Sequence, residues 1–356
     1  VGVPAGEYAG ADGSPSFANA NGFNNGADVT LSTSTDPLLY ELNPSGLQIG
    51  YPNGREAVTG GGGWMAASLG ADGYPDGNEN PPQANFDGGD GGDVTVTSDA
   101  VAFTFIGSGQ TGEFSALTPT YLNGIGAFSI GGDGVAIKAH NWDWAGDGGD
   151  GGGVSVDLGS SSSIDLANVD AGQSNAIFAY SRGGIGSNQK NYAIGAGGNG
   201  GPVTVQISGA IQNNALQGVG VLAVSQGGDS NFDNRNGGSD ASSAGDGGAV
   251  AVTVENGGSI EMGGDVGIGV MALSTGGNAD YLWNGGGGTV AVEIDEGGSI
   301  TTGSGSLAIG VLAASAGSMG DLRPFDTVNV NTSYPGVPDD VTVTNAGSIS
   351  SEGSMA

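Results

Sequence analysis

The chain is 356 residues long, with 76 glycines, no cysteine, six lysines and arginines and 37 aspartates and glutamates, for a formal net charge of −31. Such a charge repels phosphate backbones and anionic lipid surfaces, so nucleic acid and acidic membranes are excluded as natural partners. Glycine without a G-X-Y period excludes collagen, and the absence of any long apolar run excludes a transmembrane helix.

In chain order, residues 1–28 read as an irregular N-terminal segment. The sequence starts at Val1 without Met, which we read as a mature form whose export signal has been removed. A lack of cysteine suits export through an oxidising compartment. Val29–Leu31 reads as a strand, and Gly63–Ser68 as a weak first copy of a run that recurs later. From residue 88 onward three parts repeat in order. The first is an alternating run: Val94 and Val96, Val154 and Val156, Val203, Val205 and Ile207, Val250, Val252 and Val254, Val290, Val292 and Ile294, and Val341 and Val343. Period-two alternation of β-branched residues predicts strands. The second part is a lone isoleucine after a Gly/Ser turn: Ile164, Ile211, Ile260, Ile300 and Ile349. The third is a longer apolar run ending in Ser129, Ser181, Ser225, Ser274 or Ser315. These serines are 52, 44, 49 and 41 residues apart, so the spacing stretches in the segment that follows each serine.

Regular short strands joined by elastic segments at one corner predict an all-β fold, a right-handed parallel β-helix of three short strands per coil over residues 29–356. A single coil cannot bury its own inner face. The next coil, about 4.8 Å away, closes both the ladder and the core. The serine column reads as a structural hydrogen-bond ladder. The segment from Asp340 supplies the first two parts of a coil but not the third, which predicts a fragment of a longer protein or a coil completed by another partner.

The motifs GGSIEMGGDVGIGVMALSTGG (Gly257–Gly277) and GGSITTGSGSLAIGVLAASAGS (Gly297–Ser318) resemble the passenger regions of autotransporter proteins of Gram-negative bacteria. The resemblance is rhythmic, covers residues 88–356, and is shared with haemagglutinin-type adhesins. It implies a secreted β-helical body on the cell surface, with an outer-membrane barrel elsewhere in the full protein. No barrel pattern is present in this sequence.

Three groups of residues could carry function. DGGDGGDV (Asp87–Val94) and GDGGDGGGV (Gly146–Val154) contain, at 88–93, the GGxGxD core of the calcium-binding nonapeptide repeat, with Asp87, Asp90, Asp93, Asp147 and Asp150 as ligands for a possible Ca2+. Thr95 occupies the place of that repeat's bulky apolar residue. The competing reading is a tight corner in which glycine supplies positive φ and aspartate bonds the turn. The second group is the outward face of the third strand, which is also apolar: Phe178, Tyr180, Leu222, Val224, Met271, Leu273 and Leu312. A strand apolar on both faces is covered on both, here by the chain's own loops or by a neighbouring copy. The third group is the loop aromatics Tyr74, Phe86, Trp142, Trp144, Tyr192, Phe232, Tyr281, Trp283 and Tyr334. These suit stacking on host or matrix glycans, and equally suit anchoring the loops.

Enzymatic readings have little to stand on. His140 is the single histidine, the six basic residues are scattered, and no carboxylate pair is singled out. A threonine rank of the ice-binding kind fails because Ser155, Ala251 and Ala291 interrupt Thr95, Thr204 and Thr342. The sequence therefore predicts a non-catalytic extracellular structural or adhesive protein. A self-assembling filament or matrix subunit is the alternative, and a polysaccharide-active enzyme is the third reading.

Overall fold

The computed structural model describes residues 8–9, 26, 28–33, 38–41, 47–50, 57–73, 87–99, 101–107, 121–139, 142–169, 173–189, 193–230, 243–279, 284–317 and 337–353. Every regular element among them is a β-strand, and three parallel sheets dominate. The first sheet stacks Val29–Thr33, Val94–Ser98, Val154–Leu158, Val203–Ile207, Val250–Val254, Val290–Ile294 and Val341–Asn345. The second stacks Leu38–Glu41, Val101–Gly107, Ser163–Val169, Ala210–Asn213, Ser259–Met262, Ser299–Thr302 and Ser348–Ser351. The third stacks the long runs Ala57–Leu69, Tyr121–Ile130, Gln173–Arg182, Gln217–Gln226, Val266–Thr275 and Leu307–Ala316. Six successive coils contribute one strand to each sheet, and Val341–Asn345 and Ser348–Ser351 add a seventh strand to the first two, which is a parallel β-helix.

Register explains the repeat. Val94, Val154, Val203, Val250 and Val290 are direct partners in neighbouring coils, as are Ile164, Ile211, Ile260 and Ile300. These side chains are 0–2% exposed. Each fully buried Val or Ile contributes about 1.5–3 kcal/mol, and identical residues stack because every coil repeats the same backbone. In the last strands of the first and second sheets the same columns stand open: Val341, Val343 and Ile349 are 43%, 49% and 38% exposed.

The third strand bends inside its length. Val219 and Ile268 join the outer apolar cluster, yet Val221 and Val270, two residues on, join the inner one. Strict alternation is therefore broken between them, at Gly220 and Gly269. A Cβ on Gly220 would meet Ile260 Cγ2 at 2.5 Å, and one on Gly310 would meet Ile349 Cγ2 at the same distance. The glycine of each I-G-V run thus makes room for the lone isoleucine of the following coil. Ala176 is the largest residue in that column.

At the corner between the first and second sheets, Gly257 and Gly297 have φ of +88° and +89°. Gly258 N–H donates to Glu255 O and Gly298 N–H to Asp295 O, each at 2.9 Å, closing tight turns. Among the described glycines these are the two with positive φ. The expectation of positive φ at the Gly-Asp segments is therefore corrected: those glycines have another reason.

Candidate functional site

The segment after each serine and the segment before each valine strand form two kinds of glycine-rich arm. The outgoing arms include residues 131–135, 183–187, 227–230 and 276–279. The returning arms include 87–93, 146–153, 195–202, 244–249 and 284–289. Their hydrogen bonds recur every third residue. Gly88, Gly91 and Val94 donate their N–H groups to the carbonyls of Asp147, Asp150 and Gly153, each at 2.8 Å. Gly148, Gly151 and Val154 repeat the pattern one coil on, to Ala196, Asn199 and Pro202. A second set joins the two layers: Gly132 N–H to Gly89 O, Gly149 to Gly132, Gly184 to Gly149, Gly198 to Gly184 and Gly228 to Gly198, at 2.7–2.9 Å. A period of three in an extended chain is the signature of a polyproline-II-type helix. Its residues point in turn to the same layer, to the other layer and to solvent.

In 87–93 and 146–153 glycine fills two positions in three; of these, the interlayer position is glycine in every returning arm, whereas the other inward position holds Ala244 and Asn284 in later coils. A Cβ on Gly132, Gly149 or Gly198 would lie against a carbonyl oxygen of the adjacent arm, at 2.0–2.1 Å. The third position faces outward and holds the aspartates. Asp87, Asp90, Asp93, Asp147 and Asp150 are all exposed. One carboxylate oxygen of each accepts a backbone N–H from the next coil. Asp87 accepts from Asp147 at 2.9 Å, Asp90 from Asp150 at 2.9 Å and Asp93 from Gly153 at 2.7 Å. Asp147 accepts from Ala196 at 2.7 Å and Asp150 from Asn199 at 2.6 Å. Asn199 Oδ1 then takes the Asp246 N–H at 2.9 Å, and Asp246 takes that of Gly286 at 2.7 Å. An amide oxygen serves where a carboxylate could, so the acceptor rather than the charge fills this place.

The proposed calcium ligands are therefore brought into columns that tie coil to coil. Among the described residues no group of three or more His, Cys, Asp or Glu side chains is placed to hold a metal ion. The GGxGxD match at 88–93 falls on an arm whose glycines recur with a period of three, and its aspartates at 90 and 93 are the outward residues of that period.

The serine column is the ladder that the repeat predicts. Ser129 Oγ donates to Gly92 O at 2.8 Å and accepts from Gly152 N at 2.8 Å. Ser181 links Gly152 O to Gly201 N, Ser225 links Gly201 O to Gly248 N, and Ser274 links Gly248 O to Gly288 N, all at 2.7–2.8 Å. Serine hydroxyls and glycine peptides thus alternate along the stack, buried at 0% exposure for Ser129, Ser181, Ser225 and Ser274.

The outward face of the third sheet forms a second apolar cluster, separate from the core inside the coils. Phe178, Leu222, Val224, Met271 and Leu273 are 4–9% exposed within the single chain. Tyr180 and Leu312 are half-buried. Phe128 meets Phe178 edge-on with centroids 5.2 Å apart, and the Tyr180 hydroxyl donates to Gln226 Oε1 at 2.9 Å. In the inner coils this face is already removed from water without a second molecule.

Of the loop aromatics, Tyr74, Phe86, Tyr192, Phe232, Tyr281, Trp283 and Tyr334 lie outside the described residues, as does His140. Trp142 and Trp144 lie in the strand Trp142–Ala145, which pairs antiparallel with Ala136–Ala139 directly beyond an outgoing arm. Elsewhere the threonine rank is interrupted as expected: Thr95, Ser155, Thr204, Ala251, Ala291 and Thr342 share one register line. Near the first corner, burial pushes the Asp157 carboxyl above its ordinary range, with Glu255 and Asp99 adding repulsion.

Comparison with known proteins adds no relative: no family model, curated protein or solved structure matches the chain.

Proposed function

We propose that the chain is an extracellular structural and adhesive protein of a Gram-negative cell surface: a secreted, non-catalytic rigid solenoid that presents the segments between its glycine arms for contact. One observation carries this reading. Each coil is tied to the next by three parallel ladders, a buried serine–glycine ladder and the arm hydrogen bonds, while the residues joining outgoing to returning arms vary in length and composition. Repeat architectures place variable segments on one side, often the binding side. The acidic charge keeps an elongated body soluble. The autotransporter-like rhythm supports surface display, and the hairpin bearing Trp142 and Trp144 at an arm tip suits contact with glycans.

The test is to shorten residues 136–145, 231–242 and 280–283 to brief Gly-Ser linkers, leaving the arms intact, and to measure attachment of displaying cells to glycan-coated and matrix-coated surfaces. Loss of attachment with unchanged surface display is expected. Attachment that persists would remove the contact role. A turnover screen on bacterial and plant polysaccharides separates this reading from the enzymatic one, and no product is expected.

A further inference from the structure

The strand Ala57–Leu69 differs from its later equivalents in what lies along its outer edge. One edge pairs in parallel with Tyr121–Ile130. On the other edge two segments pair antiparallel: Tyr8 and Ala9 opposite Ala67 and Ala66, and Leu47–Gly50 opposite Gly60–Ala57. Among the described residues these are the antiparallel members of the three stacked sheets, and both sit at the same end. They hold the 13-residue strand near its two ends, leaving Gly61–Met65 between them outside either pairing.

An open edge of this length is a template for another chain. We infer that Tyr8–Ala9 and Leu47–Gly50 form a self-applied cap, an autoinhibitory contact that keeps the edge of Ala57–Leu69 from pairing with the same edge of a second copy. The competing occupant is a second copy for a geometric reason. A two-fold axis brings a strand against its own copy in antiparallel sense, and antiparallel is the sense that both cap segments use on this edge. The inference is independent of what the arm tips bind.

The test uses the full chain carrying Ala9→Pro and Ile49→Pro, each of which removes a backbone donor and the extended pairing around it. Circular dichroism first confirms that the β content is kept. Sedimentation equilibrium is then run over a hundred-fold range of concentration, alongside amide exchange of residues 57–69. The variant is expected to double in mass as concentration rises, relative to the unaltered chain. Its 57–69 amides are expected to exchange faster when dilute and to regain protection when concentrated. A variant that keeps the mass of the unaltered chain while these amides exchange faster overturns the inference, because the edge is then free and does not associate. Unchanged exchange also overturns it, because the segments then do not hold the edge.

Discussion

At the residue scale, the side chains that count are those that satisfy a neighbour's backbone. Ser225 accepts from Gly248 N and donates to Gly201 O, both at 2.8 Å, with no exposure to water. Ser225→Ala leaves both groups unpaired in a buried place, which costs about 1–3 kcal/mol. Urea denaturation should show a lower midpoint with an unchanged slope, the midpoint shift times the slope giving that loss. The aspartates act differently. Asp150→Asn keeps the oxygen that accepts the Asn199 N–H and removes a charge from the column it shares with Asp90 and Asp246. At low salt its melting temperature should equal or exceed that of the unaltered chain, whereas Asp150→Ala should lower it. Asp157 gives a pH signature. Its carboxyl titrates above the ordinary range in the folded chain, so the folded state disfavours its charged form. That stability is fully present below the ordinary carboxylate range and is lost as pH rises through the raised value. Melting between pH 3 and 7 should therefore show a smaller decline for Asp157→Asn than for the unaltered chain.

At the element scale, strands and arms obey different periods, and this decides what could be read in advance. The valine strands were legible because two-residue alternation with β-branched residues has one meaning, and the lone isoleucines were legible by their phase. The serine ladder was legible as a column, though not its partners, because those are glycine peptides from another part of the chain. For the arms the sequence offered a tight corner bonded by aspartate or a calcium loop; the aspartate–backbone bonds are present, but without positive φ at these glycines. DGGDGGDV has a period of three, with two glycines inward and one aspartate outward, but its first six residues after Asp87 also spell a calcium motif. Thr95 in place of the repeat's bulky apolar residue is the local difference, but the reason for glycine is not local: it is a carbonyl oxygen from a neighbouring arm. Gly198→Ala tests that reason: its Cβ would press on Gly149 O, which cannot move without breaking the interlayer bond. A loss of about 1–3 kcal/mol is expected. Gly257→Ala has no neighbour within 4 Å and is opposed by its φ of +88° alone, for about 1–2 kcal/mol.

At the scale of the whole molecule, the chain behaves as a stack of nearly equivalent layers. Seven strands of the first sheet at about 4.8 Å spacing span roughly 30 Å. Stability is then close to a sum of coil and interface terms. Deleting residues 250–289 joins Ala249 to Val290 and returns every column to its register. The shortened protein should fold cooperatively, with a lower melting temperature and a smaller denaturant slope. The outer apolar face of the third sheet was predicted to be covered, and in the inner coils it is covered within one chain. The sequence left open whether loops or neighbours do this, because burial depends on segments far apart in the chain.

The central claim is that the acidic glycine segments are knitted arms of the solenoid rather than open ion-binding loops. From Asp147 to Val154 eight successive N–H groups have partners outside their own segment: Asp87 Oδ1, Ala196 O, Gly132 O, Asp90 Oδ1, Asn199 O, Ser129 Oγ, Asp93 Oδ1 and Pro202 O. Amide hydrogen exchange resolved by residue tests this directly, with and without a calcium chelator. The account predicts unbroken protection from 147 to 154, comparable to that of Val154–Leu158 and unmoved by the chelator. Fast exchange across 148–153, or protection that appears only with calcium, would contradict it.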